Sequence, residues 1–480
     1  MGLIPEETIQ EVLAATDIVE LVEGYFPLRR RGQDFWAVCP FHSENTPSFK
    51  VSPARQAYHC FGCGASGHAI RFVMEYENLD FPSAVKRLAS RSGIVIREET
   101  SSPEERAKSK QRSQLMDLHK EAAEWFHEQL LKRRHADADR AREYLKRRGI
   151  DSDVARRWMI GYAPADGKVF AQWARERGFT GQLMVASGMM ALRDENAPSR
   201  GLYSRFRDRV MFPINNDFGD TVAFSGRLLD PNAKSAKYVN SPETALFNKS
   251  KIFFGLDKSK RAISKAESVI VCEGQLDMLR CFESGVENVV APLGTAFTEY
   301  HARTLRRFAG ERGEVLLCFD SDNAGYKAAR RAFAELASAG LFVRAVELPE
   351  GEDPDSLITA RGADAFRERV DAASPFYVHQ IARLGRSMDM SDPRDRVKFA
   401  QEISQSLAFI GDPVAREAMV NDVATRLSIA AADFRKLVAQ AAGENERTQS
   451  RAERRRQGPA PSVDVPTVED PDVRILLHLA

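Results

Sequence analysis

The sequence predicts a multidomain chain of mixed α+β and α/β class: a small N-terminal ribbon, a basic mixed α+β segment, a Rossmann-like parallel sheet and a C-terminal helical bundle. Three observations carry that prediction. Two Cys/His pairs lie near the N-terminus, as CPFH at 39–42 and CFGC at 60–63. Short, nearly continuous apolar runs recur between 268 and 325 and end on acidic residues, the pattern of parallel strands covered on both faces. From 363 to 442 the apolar residues fall at helical spacing.

At 480 residues the chain is long enough for about three domains. With 69 basic against 68 acidic residues, any basic surface must come from local clustering. There is no apolar run long enough to cross a bilayer and no signal-peptide pattern at the start. Six cysteines in this length do not suggest a disulfide scaffold, so the expected compartment is the cytoplasm.

Residues 1–96 read as a zinc-ribbon domain. Cys39 and His42, then Cys60 and Cys63, form two pairs with seventeen residues between them. That spacing suits a tetrahedral Cys3His site, closed and therefore holding one structural zinc. Gly62 is expected to permit the second tight turn. FWAVC, KVSP and QAYHC read as short strands, and HAIRFVMEYE and FPSAVKRLASRSG as amphipathic helices. A GxGxxG match at 62–67 overlaps a zinc ligand and lies in no βαβ unit, so it is set aside.

Residues 97–113 are polar and read as a flexible linker. The segment 114–257 starts with a helical stretch from Leu115 to about Arg148 and continues with the strands RVMFPINN, TVAFSGRLL and KIFFGL. Between Tyr203 and Lys251 positive charges alternate with aromatic residues in SRFRDRVMF, SAKYVNS and FNKSKIFF. Arginine and lysine beside rings suit a track that grips a phosphate backbone and stacks bases. One such cluster alone is an ordinary solvated edge; three directly before a crevice of acids are not. The stretch 443–480 is polar and proline-containing and is expected to be disordered.

In 258–362, Glu273 closes one apolar run, and Asp320 and Asp322 follow another. Parallel strands point their carboxyl ends at one crevice, so Glu273 and Asp320 meet there although 47 positions separate them. Asp277 sits one helical turn beyond Glu273. Carboxylates gathered at one edge repel each other unless a cation sits among them. Hard oxygen ligands suit magnesium completed by substrate phosphates, an arrangement for metal-assisted phosphoryl transfer. A lone aspartate is more often a turn cap. The run from Asp320 to Gly325 starts like an EF-hand loop, but Ala324 and Arg331 replace two oxygen ligands.

A glutamate ending one strand and a DxD ending a later one resembles the Toprim domain of topoisomerases, primases and some nucleases. CPFH with ENTPSF, CFGCGASG, FRDRVMFPI, KYVNSPET, VCEGQLD, GTA, FDSDNAG and GEDPDSL follow in order, and with them residues 1 to about 442 resemble bacterial replicative primases of the DnaG type. The resemblance implies a DNA-templated RNA polymerase that joins ribonucleoside triphosphates into short primers on single-stranded DNA. It implies Glu273, Asp320 and Asp322 as catalytic metal-binding acids, with Asp277, Asp353 and Asp355 as supporting acids, for two or more Mg2+ or Mn2+ ions. Whether Glu273 is also the general base stays open. Arg148, Arg227, Lys237, Tyr238 and Lys249, with Arg207 and Arg209 of the first basic cluster, are the implied contacts to substrate and nucleic acid. The ribbon would engage template through its sheet face, Arg55 and Phe61.

A Toprim nuclease would share these acids, and a topoisomerase would add a nucleophilic tyrosine on another DNA-binding domain. A zinc-dependent DNA-loading module with a degenerate core is opposed by the intact EG and DxD motifs. The expected protein is a monomer without membrane association. Members of the family continue into a helical domain that binds the replicative helicase. Only VRILLHLA, at the end, fits its start, so the domain is expected to be missing and the chain to go unstimulated by a helicase.

Overall fold

The computed structural model describes residues 4–456 except 5, 43, 45, 78, 97–102, 195–200, 231–234, 295 and 311–312. The chain divides into two compact units between His379 and Gln380.

The first unit opens with an antiparallel five-stranded meander: β1 (Arg29–Arg31), β2 (Asp34–Ala37), β3 (Phe49–Ser52), β4 (Ala57–Cys60) and β5 (Ser66–Gly67). Strand alternation sorts its side chains. Phe49, Val51, Tyr58 and Cys60 are buried in one core with Phe72, Val73, Val85 and Leu88 of the helices Ala69–Tyr76 and Phe81–Arg91. The second helix starts where Asp80 accepts a hydrogen bond from the Ser83 N–H, with Pro82 in the first turn. The register Arg29↔Trp36↔Lys50↔His59 aligns the opposite face of the sheet.

Next come β6 (Gly161–Ala163), the hairpin β7 (Met190–Leu192) and β8 (Leu202–Ser204), then β9 (Arg209–Asn215), β10 (Thr221–Leu228) and β11 (Tyr238–Asn240). Four of these form an antiparallel sheet in the order β11-β10-β9-β6. Val210, Phe212 and Ile214 face one core, while Met211 and Phe224 face another with Trp125, Phe126 and Phe170. Burial on both faces explains why RVMFPINN reads as an unbroken apolar run.

The third sheet holds β12 (Ser268–Cys272), β13 (Val289–Val290), β14 (Glu314–Cys318), β15 (Phe342–Ala345) and β16 (Ser374–Pro375) in the order β13-β12-β14-β15-β16. All pairs are parallel except β15–β16. Ile270, Cys272, Leu316 and Cys318 share their core with Val210 and Phe212 of the antiparallel sheet, so one apolar core runs across both sheets. The meander docks on this body through Glu77, which is buried. Glu77 accepts a hydrogen bond from the Tyr25 hydroxyl at 2.6 Å and faces Lys260 Nζ at 3.5 Å.

In the second unit the helices Pro393–Leu407 and Pro413–Arg426 both start on an Asp-Pro pair, with Asp392 and Asp412 as caps. Phe399, Ile403, Leu407, Val420, Val423 and Phe434 are buried as these helices pack with Ala431–Arg456. Among the described residues no helix is long and apolar enough to cross a membrane.

Several expectations change. The linker expected over 97–113 is helical from Pro103, in a helix that reaches Leu131, and 97–102 lie outside the described residues. Pro at the first helical position followed by Glu, Arg and Ala favours that start despite few apolar residues. The stretch from Leu115 to Arg148 is two helices, the second Ala136–Arg147. KIFFGL forms no strand: only Phe254 bridges, to Ala291, before Gly255 at φ +84° turns the chain into the helix Leu256–Ala266. The tail expected to be disordered from 443 is helical to Arg456, and 457–480, including VRILLHLA, lie outside the described residues.

His119 and His301 are both fully buried. Burial pushes each imidazole down to about 4 from an ordinary 6.5. His119 Nε2 donates to the Ser187 carbonyl at 3.1 Å, which sets the neutral tautomer. On acidification the unfolded chain takes up these protons first. Stability is therefore complete above about pH 6.5 and falls towards pH 4, by about 3 kcal/mol per histidine. Urea unfolding at stepped pH should show His119→Gln losing about 3 kcal/mol less than the wild type across that window.

Candidate active site and zinc centre

The two knuckles of the meander bring the Cys39, Cys60 and Cys63 thiols and a ring nitrogen of His42 within 4.8 Å of one another. The Sγ atoms of Cys39 and Cys63 are 3.8 Å apart, as are Cys60 Sγ and His42 Nδ1. The N–H groups of Phe41, Gly62 and Cys63 point at the sulfurs of Cys39 and Cys60. Three thiols and one imidazole in this compass fit a tetrahedral zinc ion with no open position. Glu44, which sequence reading missed, faces His42 Nε2 at 3.3 Å and accepts from the Cys39 N–H at 2.8 Å and the Ser48 hydroxyl at 2.6 Å. It fixes the ring from behind, as outer carboxylates do for metal-bound histidines. Gly62 is required for space: a Cβ there would lie 2.6 Å from His42 Nε2. On the outer face Trp36 stacks on Phe61 at 5.9 Å, with Arg31 over the Trp36 ring.

The parallel register ends with Cys272 opposite Cys318, so Glu273 and Asp320 leave the sheet at the same edge. Glu273 Oε2 accepts the Asp320 N–H at 3.3 Å. Asp322 caps the helix Asn323–Ser338 by accepting from the Gly325 N–H at 2.7 Å. Gly325 has no room for a side chain, because a Cβ would lie 2.2 Å from the Asp320 carbonyl oxygen. Asp277 stands in the first turn of the helix Gln275–Glu283, and a Cβ on Gly274 would strike its carboxylate at 2.4 Å. The EG dipeptide thus supplies one acid and leaves space for another.

Charge crowding is plain in the electrostatics. Burial, then the charges of Asp353, Asp320 and Asp355, pushes the Asp277 carboxyl up to about 7. Burial and Asp320 raise Glu273, and burial, Asp353 and Asp322 raise Asp320. Among the described residues only the Cys/His quartet converges to 4.8 Å. The acids stand wider than the full ligand set of one ion, which fits hard cations that keep water and take phosphate oxygens as ligands.

Beside the acids lies a cavity of about 550 Å³ lined by Tyr144, Arg147, Arg148, Arg227 and Lys237. Lys237 is exposed and near enough that its charge pulls Asp320 back down. The Arg227 guanidinium lies over the rings of Tyr144 and Tyr238, at 5.3 and 5.0 Å, and Nη1 donates to the Tyr238 hydroxyl at 2.7 Å. Its Nε is buried without a hydrogen-bond partner among the described residues. Arg207 is exposed and lines a second cavity of about 570 Å³ with Lys168, Arg175 and Arg193.

Two expected contacts, Arg209 and Asp355, are engaged within the fold, and Lys249 is half-buried. Arg209 is buried and donates to the carbonyls of Gly226, Ala236 and Lys237 and to the Ser235 hydroxyl. It braces the loop that carries Lys237 and has no exposed face for a phosphate. Asp355 is buried between Arg148 and Arg280. Lys249 lies in the segment 241–255, where its backbone N–H donates to Glu243. Tyr144, Arg280, Lys168, Arg175 and Arg193 went unread because isolated polar residues outside a motif look like a solvated surface.

Family models match nearly the whole described chain. A CHC2 zinc finger matches residues 4–104, a DNA primase catalytic core N-terminal domain 125–260, a Toprim-like domain 270–358, and a DnaB-helicase binding domain of primase 378–432. The DNA primase of Listeria monocytogenes is 34% identical over 437 residues, covering 89% of this chain and 68% of that protein. The DNA primase of Pseudomonas aeruginosa is 42% identical over 373 residues, covering 77% of this chain and 55% of that one. Among solved structures, the zinc-binding and RNA polymerase domains of Aquifex aeolicus primase align with a TM-score of 0.57 at 33% identity, over 89% of this chain and 98% of that one. A DnaG primase catalytic domain bound to single-stranded DNA aligns with a TM-score of 0.58 at 29% identity, over 68% of this chain and 99% of that one.

The fourth match overturns the expectation of a missing helicase-binding domain: it falls on the helices 378–432. Amphipathic helices of a binding module and of a polymerase subdomain carry the same periodicity, so sequence reading merged them. The expected indifference to a helicase loses its premise.

Two outcomes test these assignments. Cys60→Ser should lower zinc from one per chain to none and strip amide protection from the meander, since zinc is worth about 10 kcal/mol to such domains. β12 and β14 should keep theirs. Arg209→Ala should cost about 3 kcal/mol in urea unfolding, because charged hydrogen bonds are lost in the core, whereas Lys237→Ala should cost almost nothing.

Proposed function

The chain belongs to the DNA primase family, a maker of RNA primers on a DNA template, and from that premise we propose how its residues divide the work. The observation that carries the proposal is the meeting of two opposite charge fields: the acids after β12 and β14, and the arginines and lysine of the adjoining cavity. Glu273, Asp277 and Asp320, with Asp322 and Asp353 beside them, would hold divalent cations, magnesium or manganese. When bound, such cations stabilise charge developing on the reacting phosphate and make the attacking 3′-hydroxyl more acidic. Arg227 and Lys237 would bind the phosphates of an incoming ribonucleoside triphosphate, with Tyr144 and Tyr238 holding the Arg227 guanidinium in one orientation. Glu273 would also take the proton of that hydroxyl.

The second basic cavity, around Arg207, would grip single-stranded template by its phosphates. The outer face of the zinc module would stack template bases on Trp36 and Phe61, flanked by Arg31 and Lys50. The helices of 378–432 would bind a replicative helicase. The compartment would be the cytoplasm, and the working form a monomer.

Incubation with single-stranded DNA, ribonucleotides and magnesium should yield short RNA. Asp320→Asn and Glu273→Gln should each lower that yield at least about a hundredfold, the scale of losing a transition-state charge contact. Their circular dichroism and DNA affinity should hold, since each substitution relieves carboxylate repulsion. Arg207→Ala should flatten the dependence of log DNA affinity on log salt by about one unit. Unchanged primer yield in both acid variants would remove the crevice from the reaction.

A further inference from the structure

Both carboxylate oxygens of Asp355 are engaged by arginines. Asp355 is 7% exposed. Its Oδ2 accepts from Arg148 Nη1 at 2.6 Å and its Oδ1 from Arg280 Nε at 2.8 Å. Arg280 also donates to the Arg148 carbonyl. Its guanidinium passes so close to Gly149, at φ +64°, that a Cβ there would lie 2.8 Å from Arg280 Nη1. Two cations on one carboxylate leave it poorly placed to accept a third, since metal binding would require stripping both arginines into a buried space.

The consequence appears on the far side of the bridge. Arg148 follows the helix Ala136–Arg147 as its cap and lines the cavity beside Arg147, Arg227 and Lys237. Its guanidinium lies 6.0 Å from the Tyr144 ring that Arg227 also covers. Arg280 stands one helical turn after Asp277 on the same helix. An unbroken chain of contacts thus runs from the helix that carries Asp277, through Arg280, Asp355 and Arg148, to the phosphate-binding wall.

We propose that Asp355 is a positioning residue and not a metal ligand: with Arg280 it fixes Arg148 so that the guanidinium faces the triphosphate cavity. This rests on the reading of that cavity given above. Fixing a long side chain in advance removes the ordering cost from the binding step, so its loss should appear in nucleotide affinity rather than in the bond-forming rate.

The test compares Asp355→Asn, Arg148→Ala and Glu273→Gln in the full chain by two binding titrations, Mn2+ alone and a non-hydrolysable ribonucleoside triphosphate, with steady-state priming alongside. Asp355→Asn should keep Mn2+ affinity within twofold, while Glu273→Gln weakens it tenfold or more. Asp355→Asn and Arg148→Ala should each weaken triphosphate binding and raise its KM about tenfold, with kcat within threefold, and the double variant should be no worse than either alone. Loss of Mn2+ affinity in Asp355→Asn to match Glu273→Gln would make Asp355 a ligand and overturn the proposal. Normal triphosphate binding in Asp355→Asn with weak binding in Arg148→Ala would overturn it while sparing the cavity. Normal binding in both would remove the cavity's assignment and the proposal with it. Should Asp355→Asn fail to fold, Arg148→Ala still decides, because it removes a half-exposed side chain and frees one Asp355 oxygen. Tighter Mn2+ binding in that variant would show the carboxylate reaching the metal.

Discussion

Mutual repulsion among carboxylates at one edge of a parallel sheet is the constraint on which the rest of this molecule depends. The register of β12 and β14 delivers Glu273 and Asp320 to the same edge, and the first turn of the following helix adds Asp277. Burial makes the crowding costly, as the raised carboxyls of all three attest. A fold tolerates such a cluster only where cations answer it, and the sheet that bears it must not yield. The apolar core shared by the parallel and antiparallel sheets supplies that rigidity.

The basic residues around the crevice fall into two physical kinds. Lys237 and Arg207 are exposed and line cavities, so their charge is available to phosphates. Arg209 and Arg280 are turned inward, Arg209 holding backbone carbonyls and Arg280 the Arg148 carbonyl and the Asp355 carboxylate with donors in a fixed fork. Arg227 lies between these kinds, buried and stacked on two rings yet lining the cavity. A primase must hold template and triphosphate near strong negative charge, and the inward arginines keep the outward cations in place.

The zinc module is held to the same body by a buried ion pair. Lys260 faces Glu77 and donates to the Asp217 carbonyl at 2.7 Å, while Arg261 lies over the rings of Tyr25 and Tyr76. Burial lowers the Lys260 ammonium, the signature of a charge that persists indoors only because its partners are there. This docking places the sheet face of Trp36 and Phe61 on a module with its own core.

The chain alone determined the features that rest on local spacing. Two knuckles of fixed length required a zinc site, because four soft ligands two residues apart in pairs have few other uses. Apolar runs that stop at Glu273 and Asp320 required strands with acids at their ends, because period and length distinguish buried strands from helices. Tertiary structure alone decided which charges are free. Arg207 and Arg209 are two residues apart in one motif, yet one is exposed in a cavity and the other is buried and locked to four oxygen atoms of Gly226 and the loop 235–237. Asp353 and Asp355 share another motif, yet only Asp355 meets two arginines that lie 207 and 75 positions away in the chain. Spacing along a chain fixes which face a side chain takes, but its partners come from segments folded in from afar, and partners decide whether a charge is a strut or a ligand.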